Sequence, residues 1–140
     1  MIRTNLPILV IDRQAYWREC VARALRSAGY LVSTLASYDE VFSQALKQQK
    51  FALILVGCPS IERAERLLIM RLLSLRHHVV VLATSLPAAM MRALFLRGVE
   101  DAADKTYDTS ELIIIVEQAL ERISSRKHLP SPAERGMPYD

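Results

Sequence analysis

The chain has 140 residues, 51% of them hydrophobic and 24% charged, with a formal net charge of +3 and a pI of about 9.1. This is the length and balance of one globular domain with a sizeable core. It excludes a membrane-spanning segment, since no apolar run is long enough, and a disulfide or metal scaffold, since Cys20 and Cys58 fit no such pattern.

The first five residues lack the apolar region and cleavage site of a signal peptide, so a cytoplasmic location is expected. Pro7 to Ile11 is a continuous apolar run, as a strand buried on both faces should be. Residues 15–27 read as a helix: Tyr16, Cys20 and Ala24, then Val21, Leu25 and Ala28, recur at helical spacing, and Gly29 is a natural stop. Cys20 is expected as a small core residue. Tyr30 to Leu35 reads as the second strand.

Ser37 looks like an N-cap with Glu40 as its capping-box partner, opening a second helix to about Gln48. Its expected stripe is Val41, Phe42, Ala45 and Leu46. Phe51 to Val56 is the third strand, followed by a loop in which Cys58 is expected to be a partly exposed, inert thiol. A third helix opens at Ser60 or Ile61 and carries Leu67, Leu68, Met70, Leu72 and Leu73 to about Leu75. Arg63, Arg66, Arg71 and Arg76, interleaved with Glu62 and Glu65, read as its solvated face rather than a phosphate-binding stripe, so direct nucleic-acid binding is not expected.

His78 to Leu82 is the fourth strand. Ser85 is expected to cap a fourth helix with Pro87 in its first turn, ending before Gly98. Residues 100–104 make the fifth and weakest strand, with two alanines and three acids. Ser110 caps the last helix, residues 111 to about 123. Residues 125–140, with three prolines and no periodicity, read as a flexible tail or linker after a domain of residues 1–124.

Five βα units in series with continuous apolar strands predict an α/β, doubly wound, three-layer domain with a five-stranded parallel sheet. In such sheets the functional crevice lies beyond the carboxyl ends of the strands. Those ends hold Asp12 and Arg13, Gly57 and Cys58, Ala83 and Thr84, and Asp104 and Lys105. None carries a glycine-rich phosphate loop. No nucleophile and base can meet there, because His77 and His78 sit at the opposite end of the sheet and His128 in the tail. Asp12 stands beside Arg13, which would oppose a divalent cation. The reading is therefore of a non-enzyme with no cofactor and no metal.

The run Ile8-Leu9-Val10-Ile11-Asp12, the helix ending Ala28-Gly29-Tyr30, and Gly98-Val99-Glu100-Asp101 leading to Lys105 together resemble the receiver domain of bacterial response regulators, the CheY-like family, over about residues 5–124. The resemblance implies a flavodoxin-like fold with strand order 2-1-3-4-5 and a phosphorylatable switch. In that switch, two acids after the first strand and an aspartate after the third hold Mg²⁺. The latter aspartate accepts the phosphoryl group, and a Ser or Thr after the fourth strand and a Lys after the fifth contact it. An aromatic residue in the fifth strand moves in response.

This chain keeps Asp12 and Lys105 but has Arg13 for the second acid and Gly57 for the phosphoacceptor. Ala83, or Thr84 with a one-residue shift, takes the hydroxyl position, and Ala102 takes the aromatic one. Thr106 follows Lys105 where the family usually has proline, and Pro59 follows Gly57 so closely that the loop looks shortened. The matched losses read as a pseudo-receiver whose pocket (Asp12, Arg13, Gly57, Ala83, Thr84, Lys105) is degenerate. Lys105 is expected to pair with Asp12, and Arg13 to turn to solvent.

The family's usual contact face, made by the fourth helix, fifth strand and fifth helix, would here present Met90, Met91, Phe95, Ala102 and Tyr107 to a protein partner or a second copy. The expected function is a phosphorylation-independent interaction or dimerisation module in two-component-type signalling or transcription control. The alternative is the regulatory half of a DNA-binding regulator whose effector domain lies beyond this chain. No membrane partner is expected.

Overall fold

Five parallel strands set the frame of the molecule: β1 (Pro7–Asp12), β2 (Leu31–Leu35), β3 (Leu53–Cys58), β4 (Val79–Ala83) and β5 (Asp101–Asp104). They form one sheet in the order β2-β1-β3-β4-β5, every pair parallel. The structure, a computed structural model, describes residues 5–42, 49–105 and 108–128. The helices are α1 (Ala15–Ser27), α2 (Arg63–Ser74), α3 (Ala88–Leu96) and α4 (Thr109–His128), with a 3-10 turn at Asp39–Phe42. The expected flavodoxin-like fold is the observed one. The third, fourth and fifth expected helices are α2, α3 and α4.

The strands are buried in proportion to their place in the sheet. Every residue of β3 and β4 is buried, whereas β2, at the edge, is half exposed. Alternate side chains serve opposite layers. Leu9, Ile54, Val56 and Val81 pack with Leu68, Ile69 and Leu72 of α2 and Leu94 of α3. Ile8, Val10, Leu55 and Leu82 pack with Val21 and Leu25 of α1 and Leu112, Val116 and Leu120 of α4. The weak fifth strand forms because β4 supplies its ladder, pairing Val80 with Asp101 and Ala83 with Asp104.

Several local expectations are corrected. Helix α2 opens at Arg63, not at Ser60 or Ile61: Glu62 is the cap, its N–H donates to Glu65 Oε1 at 2.9 Å, and Ile61 is buried in the core instead. Ser85 does not cap α3. Pro87 holds that position, and the Ser85 N–H donates to the Pro59 carbonyl at 2.8 Å. Helix α3 does end before Gly98, whose φ of +103° suits glycine. Tyr16 is 72% exposed rather than part of the α1 stripe, and Leu67 and Met70 are exposed on α2, because a helix on a sheet buries one stripe only.

Ser37 Oγ accepts the Asp39 N–H at 3.2 Å, and Val41 is fully buried. Ala45, Leu46, Gln48 and the Phe42 side chain lie outside the described residues, as do residues 129–140. Helix α4 runs on past Ile123 to His128. Its later turns are held to the start of β5: Arg122 donates to the Glu100 carbonyl at 3.0 Å, and Arg126 pairs with the Glu100 carboxylate. Among the described residues no helix is long and apolar enough to cross a membrane.

His77 joins α2 to β4. Its ring lies 6.5 Å from the Phe51 ring, and its Nε2 is buried without a hydrogen-bond partner. Burial first, and His78 second, hold its pKa below the ordinary value. The unfolded chain therefore binds a proton at His77 more readily than the folded one, and stability falls as pH drops through about 6.5. Urea titrations at pH 7 and pH 5.5 should give a smaller loss for His77→Gln than for the wild type; equal losses would remove this role.

Candidate functional site

Asp12 ends β1 and Lys105 follows β5, and both side chains are 3% exposed. The Lys105 Nζ lies 2.8 Å from Asp12 Oδ2. The remaining polar capacity is also used. Gln14 donates its N–H to Asp12 Oδ1 at 2.8 Å and accepts from Lys105 Nζ through Oε1 at 2.7 Å. The ammonium also lies 5.4 Å from the centroid of the Trp17 ring, within cation–π range. Arg18 donates to the Asp12 carbonyl at 2.9 Å and fixes the start of α1 to the strand end.

Gly57 makes this pair sterically feasible. It lies beside Asp12 in the sheet. A Cβ on it would meet Asp12 Oδ2 at 2.2 Å, Asp12 Cγ at 2.9 Å and Lys105 Cε at 3.3 Å. The absent side chain and the buried ion pair therefore occupy one space. Beneath them lies a cavity of about 40 Å³ lined by Trp17, Cys20, Leu55, Gly57, Leu82 and Leu112 among others. That volume is on the order of a few waters.

A second polar group lies on the other side of the same loop. The Arg13 guanidinium sits 3.7 Å over the Tyr38 ring, and its Nη1 is 4.0 Å from Glu65 Oε2. Tyr38 donates its phenol proton to Glu65 Oε2 at 2.9 Å in a buried contact. Arg13 is exposed, at 56%, as expected, and its guanidinium is also engaged with Tyr38 and Glu65. Sequence reasoning missed Tyr38 and Glu65. The i, i+3 spacing of Glu62 and Glu65 was the available signal, since a capping box turns its second acid inward.

Cys58 is the last residue of β3 and 1% exposed, not a loop residue. Burial, then the nearby Glu65 carboxylate, pushes its thiol up to about 12. The same two causes push the Tyr38 phenol well above its ordinary value. Cys20 is half-buried. Ala83 ends β4, wholly buried, and its carbonyl accepts the Lys105 N–H at 3.0 Å; Thr84 is exposed, and its N–H donates to the Cys58 carbonyl at 3.2 Å. Among the described residues no three His, Cys, Asp or Glu side chains are grouped to hold a metal.

The strand-tip residues thus separate: Asp12, Gly57 and Lys105 come together, Arg13 joins Tyr38 and Glu65, and Ala83 and Thr84 contribute backbone. The expected contact face is only partly present. Phe95 is 45% exposed, while Met90 and Met91 are half-buried against the core. Ala102 is 7% exposed and belongs to the core, because its alternate β5 position points into the α3 layer. Leu96, next to Phe95, is 81% exposed. Tyr107 lies outside the described residues.

No family model and no curated protein matches the chain. Solved structures do match. A CheY-like receiver domain protein from Methanospirillum hungatei JF-1 is 15% identical with a TM-score of 0.77, covering 88% of this chain and 99% of that one. The receiver domain of a LuxO repressor protein from Vibrio parahaemolyticus is 13% identical with a TM-score of 0.76, covering 88% and 95%. NtrX from Brucella abortus is 21% identical with a TM-score of 0.77, covering 89% of this chain and 28% of that longer one. The structural neighbours are thus response-regulator receiver domains, and at these identities the likeness establishes the fold.

Lys105→Met should destabilise the domain by roughly 3–5 kcal/mol, because it strands a buried carboxylate. The double variant Asp12→Leu with Lys105→Met should recover most of that loss, since the charge is gone along with its partner. Gly57→Ala, forced against Asp12, should cost about 1–3 kcal/mol. Urea unfolding of the purified variants measures all three.

Proposed function

We propose that this domain is a pseudo-receiver, a non-catalytic protein-interaction module that works without phosphorylation in bacterial two-component-type signalling. The observation that carries this reading is the Asp12–Lys105 pair at 2.8 Å, seated in the space that a side chain at position 57 would need. In a working receiver, position 57 supplies the nucleophile and Asp12 helps to hold Mg²⁺. Here glycine offers no nucleophile, and the Lys105 ammonium already neutralises Asp12, so a divalent cation would have to displace a buried, hydrogen-bonded charge. Arg13 adds positive charge at the same loop, and its partners Tyr38 and Glu65 hold it there.

The hydroxyl and aromatic positions support the same reading. Ala83 and Ala102 are small, buried and without polar side-chain atoms. Ala102 leaves no ring to relay the arrival of a phosphate, and the first hydroxyl past the β4 tip is that of Thr84, exposed one residue beyond Ala83. On this reading the domain needs no cofactor, acts in the cytoplasm, and presents its surface to protein partners. A homodimer would use the face of α3, β5 and α4, where Phe95 is the exposed anchor.

Incubation with acetyl phosphate and Mg²⁺, followed by intact-mass measurement, should leave the mass unchanged; addition of a phosphoryl group would overturn the proposal. Light scattering should detect a dimer that Phe95→Glu dissociates while the circular dichroism stays constant. A wild type that is monomeric at every concentration would remove the dimer from this reading.

A further inference from the structure

The outer faces of α2 and α3 combine exposed apolar side chains with charge of one sign. Along α2, Arg63, Arg66, Leu67 and Met70 recur at i, i+3, i+4 and i+7, all exposed, with Leu67 at 56% and Met70 at 47%. This spacing places them on the side opposite Leu68 and Leu72. Arg97, just past the end of α3, donates to the Met70 sulfur at 3.1 Å, which joins the two helices into one surface. Leu96 beside it is 81% exposed. The two helices carry a single carboxylate between them, Glu65, and it is turned inward to Tyr38. Apart from Glu62, exposed at the cap of α2, the surface is cationic around an apolar centre.

We infer that Arg63, Arg66, Leu67, Met70, Leu96 and Arg97 form a docking surface for an acidic amphipathic helix of a partner protein. This rests on the reading of the domain as an interaction module, but places the partner on a different face from the α3, β5 and α4 surface. Charge complementarity selects the occupant. The cations are all arginines, whose planar guanidinium groups pair with carboxylates in bidentate fashion. Apolar side chains at their centre would gain nothing from a phosphate backbone, whereas they match the apolar stripe of a helix. Arginine and methionine are also enriched in protein–protein contacts, and methionine adapts its shape to a partner.

A fluorescently labelled synthetic peptide with leucines at i, i+3, i+4 and i+7 and glutamates elsewhere serves as the probe. Anisotropy should report binding to the full chain that weakens with added salt. Leu67→Glu or Arg66→Glu should weaken it roughly tenfold or more, with circular dichroism confirming the fold, whereas Ile114→Lys on α4 should not. A peptide with glutamine for glutamate should bind roughly tenfold more weakly.

No binding by the acidic peptide, equal binding by the neutral one, or indifference to both α2 variants overturns the inference. So does tighter binding to duplex DNA or to vesicles of phosphatidylserine and phosphatidylcholine. Self-association abolished by both Leu67→Glu and Ile114→Lys would replace the partner with a second copy of this chain. None of these outcomes depends on phosphorylation, so the mass measurement with acetyl phosphate stands or falls separately.

Discussion

The buried ion pair between Asp12 and Lys105 is the constraint around which the sheet's carboxyl edge is organised. Two opposite charges at 3% exposure are costly to desolvate, and their mutual attraction offsets that cost only when the remaining polar atoms are satisfied. Here they are, through Gln14 at both ends and the Trp17 ring on one side. The pair links residues from the first and last strands, which are separated in the sheet by β3 and β4. It thereby closes the crevice with the chain's own side chains, and it dictates a residue without Cβ at position 57.

The three residues after the hydrophobic part of β1 are consequently all committed. Asp12 and Gln14 are held by Lys105 on one side, and Arg13 lies over Tyr38 and beside Glu65 on the other. A loop bound on both flanks has little freedom to reorganise around an arriving ion. The second group also has an internal logic. Glu65 closes the capping box of α2 with one oxygen and accepts the Tyr38 hydroxyl hydrogen bond with the other, so the helix start and the chain after β2 share one carboxylate. Cys58, buried next to it with its thiol pushed up to about 12, fills space there rather than offering a thiolate.

The parallel sheet was legible because continuous apolar strands alternating with helices leave few alternatives, whereas its order and the pairing of Asp12 with Lys105 followed from the resemblance to receiver domains, which brings those two strand tips together. The limits of the reading were equally physical. Helix starts depend on which acid or hydroxyl actually reaches a free N–H, and at α2 Glu62 does so ahead of Ser60. Apolar residues in a helix do not declare which of them face the sheet: Tyr16 was placed in the α1 stripe though it is exposed, and nothing in the run of α2 separated exposed Leu67 and Met70 from buried Leu68 and Leu72. Ala102 was assigned to a surface although alternation along β5 sends it into the core. Glu65 escaped notice because a charged residue on an amphipathic helix is usually solvated, and the capping-box spacing from Glu62 was the one local mark of the exception.

The closed crevice and the cationic helical surface are connected through α2. Its outer side carries Leu67 and Met70, and its inner side carries Glu65, which reaches Tyr38 and approaches Arg13 on the β1 loop. In a receiver driven by phosphate, changes begin at the strand tips and travel outward to the helices. With the tips fixed by an ion pair, the same path has its soft end at the surface, where exposed side chains can still exchange water for a partner. A force applied to α2 would be felt first at Glu65 and Arg13, one helix width away, and would meet the Asp12–Lys105 pair only through the loop between them. On the proposed reading the strand tips are the rigid base, and the helical surface is the place where binding free energy enters.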